Sequence, residues 1–131
     1  GVEGIRYFLD AATQMKQDMH VMLPSCVPAT HLETNGGGTI SASDLAPFLN
    51  HPSTLGLAEM MNVPGVVFND SEVIKKLAHF SDQSIDGHCP LVRGRELSAY
   101  SSTGISTCHE SSQLDEAQEK LSRYVHGLGS A

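Results

Sequence analysis

Apolar residues recur at Ile5, Phe8, Leu9, Ala12 and Met15, a spacing that lines one face of a helix over Val2–Met15. The period then changes. "HVMLP" carries a short apolar run, His20 to Leu23, which reads as a strand stopped by Pro24. A polar loop, "SCVPATHLETNGGGT", follows, and "SASD" at Ser41–Asp44 sets a hydroxyl three residues before an acid, a helix-start signal. The short helix it opens, "DLAPFLNH", takes Pro47 into its first turn. "TLGLAEM", Thr54 to Met60, is a second strand, and Asp70 or Ser71 caps the helix "EVIKKLAHF". "QSIDGH", Gln83 to His88, is a third strand, followed by the helix "GRELSAYSST". "ISTCH" completes a fourth strand, and "SSQLDEAQEKLSRY" a last helix capped by Ser111 or Ser112.

Strand and helix alternate throughout, so the chain is α/β with parallel strands and crossover helices, either a doubly wound sheet or part of a (β/α)8 barrel. A whole barrel takes about 250 residues, so 131 residues supply roughly half of one, as a single unit over 1–131. In both folds chemistry gathers at the C-terminal ends of the strands. Glu59, His88 and His109 all fall at or just past such ends. Glu59 also interrupts an otherwise apolar run, "GLAEMMNVPGV", where a carboxylate needs a partner or a metal if it is buried. Strand alternation sends Leu57 and Glu59 to one side, and Asp86 and His88 to one side. Asp86 then either orients an imidazole or a water beneath His88, or makes a turn hydrogen bond with Gly87.

Composition narrows the chemistry. A formal net charge of −7 with scattered Lys and Arg argues against a phosphate-backbone binder, which needs a concentrated basic face. No apolar run approaches the roughly 18 residues of a membrane span, and no signal peptide is visible. Cys26, Cys89 and Cys108 are odd in number and lack Cys-x-x-Cys pairing, which points to reduced thiols in a cytoplasmic protein. The chain opens at Gly1 directly inside a helical pattern and is expected to be a piece of a longer one.

Imidazole and carboxylate together suit zinc, manganese or iron, and a carboxylate can bridge two ions. Water on such an ion has its pKa lowered toward about 7, supplying hydroxide for hydrolysis. Glu110 is either a proton shuttle or a first-turn acid favouring the helix dipole. A structural zinc site using Cys89 and Cys108 lacks four-ligand spacing. "NGGG", Asn35–Gly38, has no following Lys-Ser/Thr and reads as a flexible loop or lid rather than a phosphate loop. His20, His31, His51, His79 and His126 read as ordinary surface or strand-start residues.

"MLPSCVPAT", "GLAEMMNVPGV", "IDGHCP", "ELSAYSSTGI" and "CHESSQLDEAQEKL", in that order, closely resemble the bacterial adenine deaminases, metal-dependent members of the amidohydrolase superfamily. The resemblance runs from about Val2 to Leu121. It implies the middle of a (β/α)8 barrel, from the helix after the second strand to the helix after the sixth. In that family a fourth-strand glutamate bridges two metal ions, a role that maps onto Glu59; the fifth- and sixth-strand histidines map onto His88 and His109. The implied reaction is hydrolytic deamination of adenine to hypoxanthine and ammonia by metal-bound hydroxide. Ser25 and Cys26, at the end of the third barrel strand, would lie near the pocket. The His-x-His of the first barrel strand and the aspartate of the last are absent from this chain, so the isolated piece is expected to be inactive. Residues 123–131 depart from the seventh strand the family would have there. A half barrel exposes strand edges and is expected to self-associate. Zinc nucleobase deaminases, with His-x-Glu and Pro-Cys-x-x-Cys, are excluded by the absence of both motifs. Two rival readings stand beside this one: a non-catalytic metal- or partner-binding module, and an amidohydrolase acting on another heterocycle or a cyclic amide.

Overall fold

The computed structural model describes residues 1–30 and 38–124. Three parallel strands, β1 (Val21–Leu23), β2 (Thr54–Met60) and β3 (Ser84–Gly87), pair in the order β1-β2-β3. Helices alternate with them: α1 (Val2–Gln14), α2 (Ala42–Leu45), α3 (Val63–Val67), α4 (Ser71–His79), α5 (Gly94–Ser101) and α6 (Leu114–Tyr124). Sequence-consecutive strands that are also parallel neighbours require a crossover between each pair, and the connecting helices supply it.

The local signals act as the sequence suggests. Ser41 caps α2 in a capping box with Asp44: its hydroxyl accepts from the Asp44 amide, and the Asp44 carboxylate accepts from the Ser41 amide. Pro47 cannot donate a helical hydrogen bond, and α2 gives way to a 3₁₀ turn over Ala46–Phe48 instead of running on to His51. Asp70, not Ser71, caps α4 through Oδ1, which accepts from the amides of Glu72 and Val73. Of the α1 stripe, Ile5, Leu9 and Ala12 are buried, while Phe8 and Met15 at its margins stay exposed. The core lies between sheet and helices, where Leu9, Leu23, Leu45, Leu57, Phe80, Ile85, Leu97 and Tyr100 are essentially inaccessible.

Other expectations change. The fourth strand over "ISTCH" does not form; residues 105–109 run extended beside β3 without a ladder. Ser106 donates to the Ile85 carbonyl at 3.2 Å, but the next position fails, because the Gly87 amide is taken by the Thr107 hydroxyl at 3.3 Å. A side chain has replaced the backbone partner that a strand needs. The last helix begins at Leu114, past both expected caps, since the Ser112 amide donates to the Glu116 carboxylate. The short helix α3 is an addition; the Asn62 side chain caps it and Pro64 sits in its first turn.

A further correction concerns facing. In the β2–β3 register Leu57 lies opposite Ile85 but Met60 opposite Gly87, so two residues of β2, Ala58 and Glu59, oppose the single Asp86. That is a β-bulge, and it breaks the two-residue alternation. Leu57 and Met60 are both buried in the core, while Glu59 is exposed. Leu57 and Glu59 therefore do not share a face. His31, His126, the Asn35–Gly37 part of the glycine stretch and the tail beyond Tyr124 lie outside the described residues.

Candidate metal centre

The bulge turns Glu59 toward the two histidines. Its Oε1 lies 3.4 Å from His109 Nε2, and its Oε2 lies 3.9 Å from His88 Nδ1. The two imidazoles meet through His88 Nδ1 and His109 Nε2 at 3.4 Å, with ring centroids 5.3 Å apart. The three residues thus present one ligand atom each within 4.8 Å of one another. Two donors bound at about 2.1 Å to one tetrahedral ion stand about 3.4 Å apart, so the spacing fits a shared cation. The donor set is also chemically apt, combining imidazole with a carboxylate that offers a separate oxygen to each ring.

Each candidate ligand reaches this point from a different element. Glu59 comes from the β2 bulge, His88 follows β3 directly, and His109 ends the extended segment beside β3. All three lie at the C-terminal side of the parallel sheet, as strand-end chemistry requires. Glu110 Oε2 lies 3.4 Å from His88 Nε2, the ring nitrogen facing away from Glu59. Asp86 Oδ1 accepts from the Thr107 hydroxyl at 3.2 Å and so ties β3 to the segment that carries His109.

Ser25 and Cys26 line a cleft of about 320 Å³ with Ile40, Asn62 and Lys76, and none of the three ligand residues borders it. Ser25 still contacts the backbone of Glu59, because its hydroxyl donates to the Glu59 carbonyl. Cys26 Sγ lies 3.6 Å from Met60 Sδ. Lys76 is 7% exposed; burial lowers its pKa, and its ammonium donates to the Ser25 carbonyl at 2.8 Å. All three cysteines are free thiols. Burial pushes Cys89 up to about 11, consistent with an inert thiol.

Sequence reasoning did not single out the buried pair on α6. Glu116 and Lys120 are 1% and 3% exposed and meet at 2.7 Å. Glu116 also accepts from the amides of Leu91 and Ser112, and Lys120 donates to the Glu110 carbonyl at 2.8 Å and to Cys108 Sγ at 3.3 Å. One helical turn thereby holds the loops that follow both histidines. The hydrogen bond from Lys120, then that from Leu91, brings the Glu116 carboxyl down to about 2. Leu91 adopts a positive φ of 63°, a conformation costing an ordinary side chain about 1–2 kcal/mol, and its amide bond to Glu116 helps keep it there. Only the i,i+4 spacing of Glu116 and Lys120 signalled the pair, and that spacing is ordinary on exposed helices. Tyr100, inside the helix that "GRELSAYSST" predicts, carries no sequence signal of its hydrogen bonds to Met60 and His88.

No family model matches the chain. It is 51% identical over 128 residues to a protein named adenine deaminase from Cereibacter sphaeroides, spanning 98% of this chain and 22% of that protein. It is 51% identical to "Adenine deaminase 1" of Rhizobium meliloti, again over 98% of the chain and 22% of the relative. With adenine deaminase of Brucella anthropi the identity is 49%, over 98% of the chain and 23% of the relative. The chain is therefore homologous, over nearly all its length, to one segment of proteins of this name, and it spans a little over a fifth of their length.

Proposed function

We propose that this chain forms the middle of a (β/α)8 barrel in an adenine deaminase, a hydrolase converting adenine and water to hypoxanthine and ammonia in the cytoplasm. The observation that carries the reading is the Glu59 carboxylate offering one oxygen to each of two histidines, within a segment about half identical to proteins named for that activity. Glu59, His88 and His109 would hold a divalent metal, manganese, iron or zinc, and the two carboxylate oxygens of Glu59 suit it to serve both ions of a binuclear centre. The metal supplies Lewis acidity that makes water nucleophilic near neutral pH. The half-exposed Glu110, beside His88 Nε2, orients that ring and carries a proton toward the departing amine. Ser25 and Cys26 shape the wall next to Glu59, and Asp86 steadies the His109 segment through Thr107.

The chain by itself, lacking the His-x-His and the last-strand aspartate of the family, is expected to turn over little adenine. Rapid ammonia release by the 131-residue protein would overturn that expectation. The reading as a whole is tested on the whole protein that contains this segment. Purified with its metal, it should release ammonia from adenine, and Glu59→Ala should lower the rate at least about 100-fold. Turnover of another heterocycle but not adenine would favour the related amidohydrolase reading. Metal binding without any turnover would favour a binding module.

A further inference from the structure

The bulge that aims Glu59 lies where the sheet's own hydrogen bonding gives out. β1 ends at Leu23, opposite Leu57, so Ala58–Met60 have no β1 backbone beside them. On the other side the β2–β3 register is interrupted between Leu57 and Met60. The carbonyls leaving the bulge are met by side-chain hydroxyls instead. Ser25 Oγ donates to the Glu59 carbonyl from the β1 side. The Tyr100 hydroxyl, from α5, donates to the Met60 carbonyl at 2.5 Å and accepts from the His88 amide at 3.0 Å. One phenol oxygen thus links the strand end carrying Glu59 to the residue carrying the first imidazole. Both hydroxyls are rigidly seated: Tyr100 is fully buried, Ser25 is 3% exposed, and the Ser25 carbonyl is held by Lys76.

We infer that Tyr100 and Ser25 are positioning residues for the metal centre, clamping the β2 bulge so that the Glu59 carboxylate faces His88 and His109. This rests on the proposed metal site but assigns a role to two residues that do not touch the ion. A carboxylate on an unclamped bulge samples many directions, and the affinity of a three-ligand site falls with the fraction of time its donors converge. Partners one step removed from a metal typically change its affinity by about 10–100-fold.

The test is a Co²⁺ titration of the full 131-residue chain, followed by visible ligand-field absorption, at a temperature where circular dichroism shows every variant folded. The unaltered chain should bind Co²⁺, and Glu59→Ala should abolish the absorption. Tyr100→Phe, which removes one oxygen and keeps the ring, should weaken Co²⁺ binding at least about tenfold and alter the spectrum. Ser25→Ala should do the same, and Ser25→Thr, which keeps a hydroxyl, should restore both. A purely structural role would lower the melting temperature of these variants but leave Co²⁺ affinity and spectrum unchanged; that result overturns the inference while leaving the metal site standing. If the unaltered chain does not bind Co²⁺, the same titration is run on the whole protein that contains it, freed of its own metal, and failure there overturns both. Should Tyr100→Phe not fold, the Ser25→Ala and Ser25→Thr pair decides the matter.

Discussion

Glu116 sits on a helix that reads as polar along the sequence, yet its carboxylate is almost wholly inaccessible and fully engaged. A carboxyl brought from an ordinary 4.5 down to about 2 stabilises the fold fully above pH 4.5 and loses that contribution as pH falls toward about 2. The urea midpoint should therefore decline across pH 4.5 to 2, and Glu116→Gln should flatten that decline. An equally steep decline in the variant would show that other acids control it. Lys120→Met poses the converse problem. It strands a buried carboxylate, and breaking a buried pair on one side is far more damaging than removing both partners. The double change Glu116→Gln with Lys120→Met should melt higher than Lys120→Met alone, measured by circular dichroism. Among apolar residues Leu57 is the most telling, being fully buried beside the bulge; Leu57→Ala should cost about 2–5 kcal/mol in denaturant titration.

Elements matter here through their ends. Helix α4 starts on the Asp70 carboxylate, and Asp70→Ala should cost about 1 kcal/mol of unfolding free energy with no loss of Co²⁺ affinity, since neither hydrogen bond of that cap involves Glu59, His88 or His109. The end of β3 behaves differently. A Cβ at Gly87 would lie 2.3 Å from the Thr107 carbonyl and 3.0 Å from the Tyr100 hydroxyl. Only glycine allows the His109 segment to lie so close to β3. Gly87→Ala should push that segment outward, lowering both stability and Co²⁺ affinity, the latter by about tenfold or more on titration. Helix α5 is joined to α6 in the same economical way. The Gly94 amide donates to Glu119 at 2.8 Å, and Arg93 reaches Asp115 and Glu119, so the start of one helix is satisfied by side chains of the next.

At the scale of the molecule, β1 and β3 are the outer strands of the described sheet, and Phe68, Leu114 and Tyr7 are exposed at 80%, 76% and 68%. The β1 edge, which pairs only with β2 among the described residues, and these exposed apolar side chains favour association between copies, and light scattering should report species larger than a monomer. A metal that binds only the folded chain should raise its stability by about 2.7 kcal/mol at a hundredfold excess over Kd, read as a higher melting temperature with Co²⁺ than with chelator. No helix among the described residues is long and apolar enough to cross a membrane. Much of this organisation was legible in the order of residues. Alternating apolar periods announced parallel strands with helical crossovers, caps at Ser41 and Asp70 marked helix starts, and strand ends singled out Glu59, His88 and His109. These signals are local, carried by residues a few positions apart, and they survive in a one-dimensional reading. The direction of Glu59 was not legible, because a bulge exists only as a mismatch between two strands. Nor was the failure of the fourth strand, which turns on the Thr107 hydroxyl reaching Gly87 across 20 residues. The same holds for Tyr100 and the α6 pair: their roles come from partners far away in the chain, and contacts of that kind arise only once the backbone has packed.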